Sequence, residues 1–155
     1  MGDKITLEKI FERLEKLPPR EDLSTNEKKF YSEIGRSLLT RQLEFLIEEK
    51  MWVLGVIMSA STLEFVGKTR LIWKYKGSVS GRKIRRLEFA STIKCLLASK
   101  IINEDTFKKM EKIRDARNDL AHELLRQVAA SFKNESNPES EALIREAIEV
   151  IKILF

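Results

Sequence analysis

Glycine, proline and cysteine are scarce in this chain of 155 residues, which contains six glycines, three prolines and one cysteine. So few turn-forming residues favour long helices over an architecture of many short strands. The single cysteine, Cys95, cannot form an internal disulfide, and with only one histidine the chain lacks the ligands of a usual zinc site. Cys95 is interpreted either as a small buried hydrophobic residue or as a nucleophile. We expect no metal and no other cofactor.

The sequence also lacks an apolar run long enough to cross a bilayer. The longest run, residues 51–63, is followed at once by Glu64. The N-terminus opens with charged residues at positions 3 and 4, and no apolar signal region follows them. Hydrophobic residues make up 43% and charged residues 34% of the chain, which is typical of a globular protein. We therefore expect a cytoplasmic protein with no membrane partner.

Acidic residues are absent from residues 68–86, which we call the basic stretch. The net charge is +5, and subtracting the eight positive charges of this stretch leaves −3 for the rest. An anionic partner would therefore be attracted locally. The eight basic residues are Lys68, Arg70, Lys74, Lys76, Arg82, Lys83, Arg85 and Arg86.

Two aromatic residues, Trp73 and Tyr75, alternate with Lys74 and Lys76 in the basic stretch. In one interpretation, RNA bases stack on the rings while the lysines, together with Arg82, Lys83, Arg85 and Arg86, bind phosphates. In the other, Trp73 belongs to the core and the lysines lie in an ordinary solvated loop. Both interpretations remain open.

The apolar residues recur at helical spacing throughout, and no β-alternation of useful length is present. A first helical segment stops at Pro18-Pro19, and Ser24 opens the next with a capping box. Residues 51–75 suit the central helix of a bundle, and residues 77–81 are the clearest loop. Asn103 and Asn137 have the position of N-caps. We predict one all-α domain over residues 1–155, an antiparallel bundle of five to six helices.

The only histidine, His122, lies on a helix near two arginines and an amide. Arg114, Asn118 and His122 are spaced four residues apart and share one helical face. Arg117 lies five residues before His122, about 140° around the helix axis, but its long side chain can reach the same rim. A histidine titrates near neutral pH and a guanidinium binds phosphate. This combination predicts proton transfer beside a phosphate.

The order Arg117-Asn118-Asp119-Leu120-Ala121-His122 resembles the motif of the HEPN superfamily, the higher eukaryotes and prokaryotes nucleotide-binding domains. That motif is an arginine, four to six residues and a histidine, often with a polar residue after the arginine. The central segment from Trp52 to Phe65 and the segment from Ile93 to Ile113 are also similar to bacterial and archaeal members. The resemblance covers about half of the chain, residues 52–123.

The resemblance implies a dimeric, metal-independent endoribonuclease in defence, stress response or a toxin–antitoxin pair, with RNA and a cognate antitoxin as partners. It implies that His122 is the general acid/base, that Arg117 binds the phosphate and that Asn118 orients one of them. Glu64 would hold the motif helix in place. Asp119 and Glu123 add negative charge, which Arg114, Arg117 and Arg126 must outweigh for a phosphate to bind.

A second hypothesis is a module that does not cleave. In it the same helical scaffold binds RNA, a nucleotide or a protein, and His122 is structural. Arg117 and Asp119 then belong to a surface ladder of ion pairs with Asp115 and Glu123, each worth at most about 1 kcal/mol. Dependence of cleavage on pH near 6 to 7, the usual histidine range, would distinguish the two hypotheses.

Overall fold

The computed structural model describes residues 25–75, 81–127 and 137–155, with side chains for 32–75, 81–121 and 137–155. Within these ranges the chain forms six α-helices and no β-strand, which confirms the predicted all-α bundle. None of the described helices is long and apolar enough to cross a membrane. The helices are α1 (Thr25–Glu48), α2 (Trp52–Lys74), α3 (Gly81–Arg85), α4 (Phe89–Ala98), α5 (Glu104–Gln127) and α6 (Pro138–Leu154).

The chain divides into two compact units, residues 1–35 and residues 36–155. Of the first unit the structure describes residues 25–35, which form the beginning of α1. The second unit contains the rest of α1 and all of α2 to α6. The predicted first helical segment, its stop at Pro18-Pro19 and the cap at Ser24 lie outside the described residues. A single domain over the whole chain stays a prediction.

Helix α2 is the central helix of the second unit, as its apolar sequence predicts. It packs against α3, α4, α5 and α6, while α4 and α6 also pack against α5. Its buried residues include Val56, Ala60, Leu63 and Val66, all at most 1% exposed. Burying an aliphatic side chain of Val or Leu size stabilises the folded state by about 1.5–3 kcal/mol, so α2 anchors the core.

Two glycines of α2 allow its neighbours to approach closely. A Cβ atom at Gly55 would collide with the side chain of Ile144 on α6. A Cβ atom at Gly67 would lie 2.9 Å from Cδ1 of Leu96 on α4. Between them, the buried Ser59 donates its hydroxyl to the Gly55 carbonyl at 2.7 Å, so this polar group is satisfied inside the helix. Small residues therefore fix the spacing between α2 and its two neighbours.

The two predicted N-caps are confirmed. The Asn103 side-chain oxygen accepts from the Thr106 amide at 2.9 Å, just before α5. The Asn137 side-chain oxygen accepts from the Ser140 amide at 3.1 Å, and Pro138 is the first residue of α6. Each side chain satisfies an amide that has no partner within the helix, typically worth about 1 kcal/mol.

Two helices end at lysines in the left-handed conformation, which the sequence pattern did not predict. Lys100 follows α4 with φ of 54°, and its amide donates to the Leu97 carbonyl at 2.9 Å. The next amide, of Ile101, donates to the Leu96 carbonyl at 3.0 Å, which completes a Schellman motif. Lys50, with φ of 55°, ends α1 in the same way. Glycine usually occupies this position because it has no Cβ.

Two predictions for the middle of the chain need correction. The loop predicted over residues 77–81 ends earlier than expected, because Gly81 is the first residue of α3; residues 76–80 lie outside the described part. The helical spacing predicted from Ile84 onward is interrupted between Arg85 and Phe89. Glu88 is extended there, with ψ of 159°, and so caps α4 as a separate helix. Apolar spacing alone does not reveal such a break.

Candidate functional site

Arg117, on α5, is held by side chains from two other helices. Its Nη1 atom lies 3.4 Å from Oε2 of Glu64 on α2. Its Cζ atom lies 5.6 Å from the ring centroid of Phe89 on α4, a cation–π distance. Its Nε and Nη2 atoms lie 3.4 and 3.3 Å from Oδ1 of Asn118. We call Glu64, Lys68, Phe89, Arg117 and Asn118 the Arg117 cluster.

Glu64 is shared by two cations. Its Oε1 atom accepts from Nζ of Lys68 at 2.6 Å, one helical turn along α2, while Oε2 faces Arg117. The exposed fractions are 25% for Glu64, 17% for Lys68 and 28% for Arg117, so water screens these pairs only in part. One carboxylate against two cations leaves a formal charge of +1. The cluster can therefore still attract an anion.

The contacts of Arg117 with the described residues leave hydrogen-bonding capacity for a ligand. A guanidinium has five N–H donors in a planar fork, and the contacts to Glu64 and Asn118 involve three nitrogen–oxygen pairs. All three nitrogen–oxygen distances are longer than the usual range of roughly 2.7–3.2 Å, so each hydrogen bond is weak. A phosphate oxygen can thus bind to the remaining donors or replace one of these contacts.

Only the backbone of His122 is described: it lies in α5, five residues after Arg117, or about 7.5 Å further along the helix axis. Arg126 likewise lies in α5. The side chains of both residues lie outside the described part, so the predicted roles of His122 and Arg126 stay predictions. Asn118 and Asp119 are exposed on the same helix.

Arg114 is already engaged by two carboxylates. Its Nη1 atom lies 2.9 Å from Oε1 of Glu111, and its Nη2 atom lies 2.8 Å from Oδ1 of Asp115. Its exposed fraction is only 20%. The surface ladder considered from the sequence joined Arg117 to Asp115, but Asp115 pairs with Arg114, and Arg117 pairs across helices with Glu64. Arg114 contributes less positive charge to the site than expected, because both partners offset it.

Two residues of the basic stretch tie the end of α2 to the turn after α4. Lys74 Nζ donates to the carbonyl oxygen of Ser99, and the Tyr75 hydroxyl lies 2.6 Å from the Ser99 hydroxyl. The half-buried Trp73 has the Arg70 guanidinium 5.7 Å from its ring centroid. Lys74 and Tyr75 therefore have structural contacts that would have to change for direct RNA binding. Lys76 lies outside the described residues.

The second half of the basic stretch is exposed to solvent. Arg82, Lys83 and Arg85 on α3, and Arg86 after it, are all exposed, while Ile84 is 5% exposed and fixes α3 to the core. The structure thus separates two kinds of positive charge: a guanidinium fixed between helices, and a row of solvated side chains. Solvated charges of this kind attract a polyanion without fixing its position.

Sequence reasoning missed two members of the Arg117 cluster. Lys68 follows Glu64 by four residues, a spacing that signals an ion pair on a helix, but it was counted only as part of the basic stretch. Phe89 is 3% exposed and begins α4, and no feature of its sequence context indicates an arginine above its ring. Among the described residues, no group of three or more His, Cys, Asp or Glu side chains could hold a metal ion.

Comparison with known proteins identified no protein similar to this chain. No protein-family model, no curated protein and no solved structure matches the chain. The likeness to the HEPN superfamily therefore depends on the Arg117–His122 motif and its helical context.

Proposed function

We propose that this protein is a HEPN-type endoribonuclease that cleaves RNA without a metal ion. In this proposal Arg117 binds the scissile phosphate and His122 transfers the proton. The observation that carries it is the Arg117 cluster, in which a carboxylate from the central helix and a buried aromatic ring hold the arginine of the motif at a part-exposed position. Holding a phosphate ligand in one geometry lowers the cost of ordering it in the transition state.

The proposed reaction is an internal transfer within the RNA. His122 removes the proton from a 2′-hydroxyl, whose oxygen forms a bond to the adjacent phosphorus. The bond from phosphorus to the 5′-oxygen breaks, and that oxygen takes a proton from a second acid. The products are a 2′,3′-cyclic phosphate and a 5′-hydroxyl. Because the chain has one histidine, we propose that His122 of a second copy is this acid, which requires a dimer.

Charge on the phosphate increases as the bonds rearrange, and Arg117 would offset it. Glu64 and Asn118 limit the positions that the guanidinium can take. The weak contact to Glu64 gives Arg117 a resting partner that a phosphate can replace. The exposed basic residues of α3 would raise the local concentration of RNA without touching the reacting atoms.

The test is cleavage of a mixed pool of labelled RNAs in EDTA by wild type, His122→Ala and Arg117→Ala. We expect both substitutions to reduce cleavage at least about 100-fold, since each removes a group acting in the transition state. Arg145→Ala is the matched control, because Arg145 is a 61%-exposed arginine on α6 paired with Glu141. It should cleave like wild type, and circular dichroism should show that all variants fold.

An observation also favours the second candidate, a binding module that does not cleave. The Glu64 carboxylate already compensates Arg117, as an ion pair with a purely structural role would. Under this hypothesis wild type binds RNA but leaves it intact, and His122→Ala binds with unchanged affinity. Absence of cleavage with enzyme in excess over RNA would reject the ribonuclease proposal, as would equal cleavage by wild type and both variants.

A further inference from the structure

A cavity of about 360 Å³ opens between α2, α3 and α4, and none of its lining residues belongs to the Arg117 cluster. Leu71 of α2, Ile84 of α3, Leu87 and the half-buried Cys95 form most of its apolar wall. Ligand pockets commonly have volumes of roughly 300–1,000 Å³ and apolar walls, so this cavity lies within the range that holds a small molecule.

The polar groups of the wall indicate which kind of ligand fits. The hydroxyl groups of Tyr75 and Ser99 lie 2.6 Å apart and form one hydrogen bond with each other, which leaves few polar groups in the wall besides the Lys83 ammonium. A ligand with many hydrogen-bonding groups, such as a nucleobase, would leave its own groups without partners there, at a cost of about 1–3 kcal/mol for each. The body of the ligand should therefore be apolar.

The charge of the wall is positive. Lys83 lines the cavity and is exposed, so its ammonium can bind a group at the mouth. Arg82, Arg85 and Arg86 are exposed beside it on and after α3, so four basic residues outweigh the exposed Glu88, which follows the lining residue Leu87. The field at the mouth therefore favours an anion over a neutral or cationic group.

We infer that this cavity binds a small amphipathic anion, an apolar chain with one carboxylate that pairs with Lys83. A dry apolar cavity of about 150 Å³ holds benzene, so this cavity has room for a chain of roughly eight to ten carbons. The inference is independent of RNA cleavage, because neither Arg117 nor His122 takes part in the site. It extends the role of Lys83 from attraction of a polyanion to recognition of a specific ligand.

The single cysteine provides a reporter within the wall. Alkylation of Cys95 by iodoacetamide adds one label for each chain, and a bound ligand should block it. Decanoate in excess should slow the alkylation of the full chain at least about tenfold, whereas 1-decanol and decylamine should slow it much less, because neither pairs with an ammonium. Mass spectrometry measures the labelled fraction over time.

Lys83→Met tests the charge pairing. It should weaken protection by decanoate about tenfold, the effect of losing one charge-assisted hydrogen bond of about 1.4 kcal/mol. Arg82→Met is the matched control, since Arg82 lies beside Lys83 on α3 but does not line the cavity. This control should change protection less than about twofold.

Three outcomes would overturn the inference. The first is alkylation at the full rate in excess decanoate. The second is that 1-decanol protects Cys95 as well as decanoate does, or that decanoate protects Lys83→Met as well as wild type, because the anion would then not be recognised. The third is equal protection by phosphatidylglycerol vesicles, because the cavity would then take the acyl chain of a membrane lipid. Circular dichroism of Lys83→Met, a change at an exposed side chain, verifies that the variant folds.

Discussion

Two regions of the second unit are rich in positive charge, and they differ in how the charge is held. In the Arg117 cluster, residues of α2 and α4 hold one guanidinium at a part-exposed position. On α3 and just after it, four basic side chains extend into solvent. A fixed charge can recognise one phosphate geometry, whereas solvated charges attract any polyanion and depend strongly on salt. If RNA is the substrate, the first region should determine the rate of cleavage and the second the affinity.

The largest expected effect is on the rate of RNA cleavage by Arg117→Lys. Lysine keeps the charge but loses the planar fork, so we expect the rate at saturating RNA to fall about 100-fold. Arg82→Lys, the same change on exposed α3, should stay within about twofold of wild type. Single-turnover cleavage assays measure both rates. A similar loss in the two variants would mean that the two regions do not differ as proposed.

The second effect, on affinity, is expected from replacing Arg82, Lys83, Arg85 and Arg86 together by glutamine. We expect RNA affinity at low salt to fall at least about tenfold, and the slope of log K against log salt to decrease by up to about 3 units. The cleavage rate at saturating RNA should remain close to that of wild type. Filter binding at several salt concentrations measures the slope, and an unchanged slope would show that α3 does not contact the phosphates.

The third effect is on the free energy of unfolding, and it is tested by the same substitution at two phenylalanines. Phe89 is 3% exposed under Arg117, whereas Phe65 on α2 is 65% exposed. Phe89→Leu should destabilise the fold by about 1–2 kcal/mol, through lost packing and a lost cation–π contact. Phe65→Leu, the matched control, should change it by less than about 0.5 kcal/mol. Urea unfolding measures both, and equal effects would argue against tight packing at the cluster.

A smaller effect is expected at the end of α4, where Lys100→Gly should stabilise the protein by about 1 kcal/mol. Lysine is strained at φ of 54° and glycine is not. Lys94→Gly, within the same helix, should instead destabilise it by about 1 kcal/mol, because glycine lowers helix propensity. Thermal unfolding distinguishes the two. Destabilisation by both changes would contradict the left-handed end of α4.

The smallest effect concerns Lys109 on α5, which forms ion pairs with Asp105 on the same helix and with Glu149 on α6. A hydrogen bond to Asp105 and its charge raise the pKa of Lys109 above its usual 10.5, with Glu149 adding to the effect. A raised pKa in the folded state stabilises it below pH 10.5, and this contribution is lost as pH rises through the folded-state pKa. Lys109→Met should therefore lose stability less steeply as the pH rises above about 10.5. Urea unfolding across this range measures the difference.

The sequence predicted the fold where a side chain acts on its own helix. Asn103 and Asn137 cap the helices that follow them because a side-chain oxygen needs only a nearby amide. The left-handed lysines after α1 and α4 were not predicted, because glycine usually occupies this position and the backbone strain is offset by hydrogen bonds. A local sequence pattern does not show that backbone strain is offset in this way.

The candidate site was predicted only in part. A lone acidic residue after the apolar run, Glu64, was assigned to hold the motif helix, and it lies 3.4 Å from Arg117. Phe89 was missed because its contact with Arg117 joins residues 28 positions apart in the sequence and depends on how α4 packs. Whether these residues act on RNA remains the prediction that the cleavage assay tests.

The glycines of α2 have a consequence for how this protein tolerates sequence change. At Gly55 the added carbon of alanine has no space unless Ile144 moves, and at Gly67 it meets Leu96 and Thr92. Homologous sequences should therefore keep small residues at these two positions.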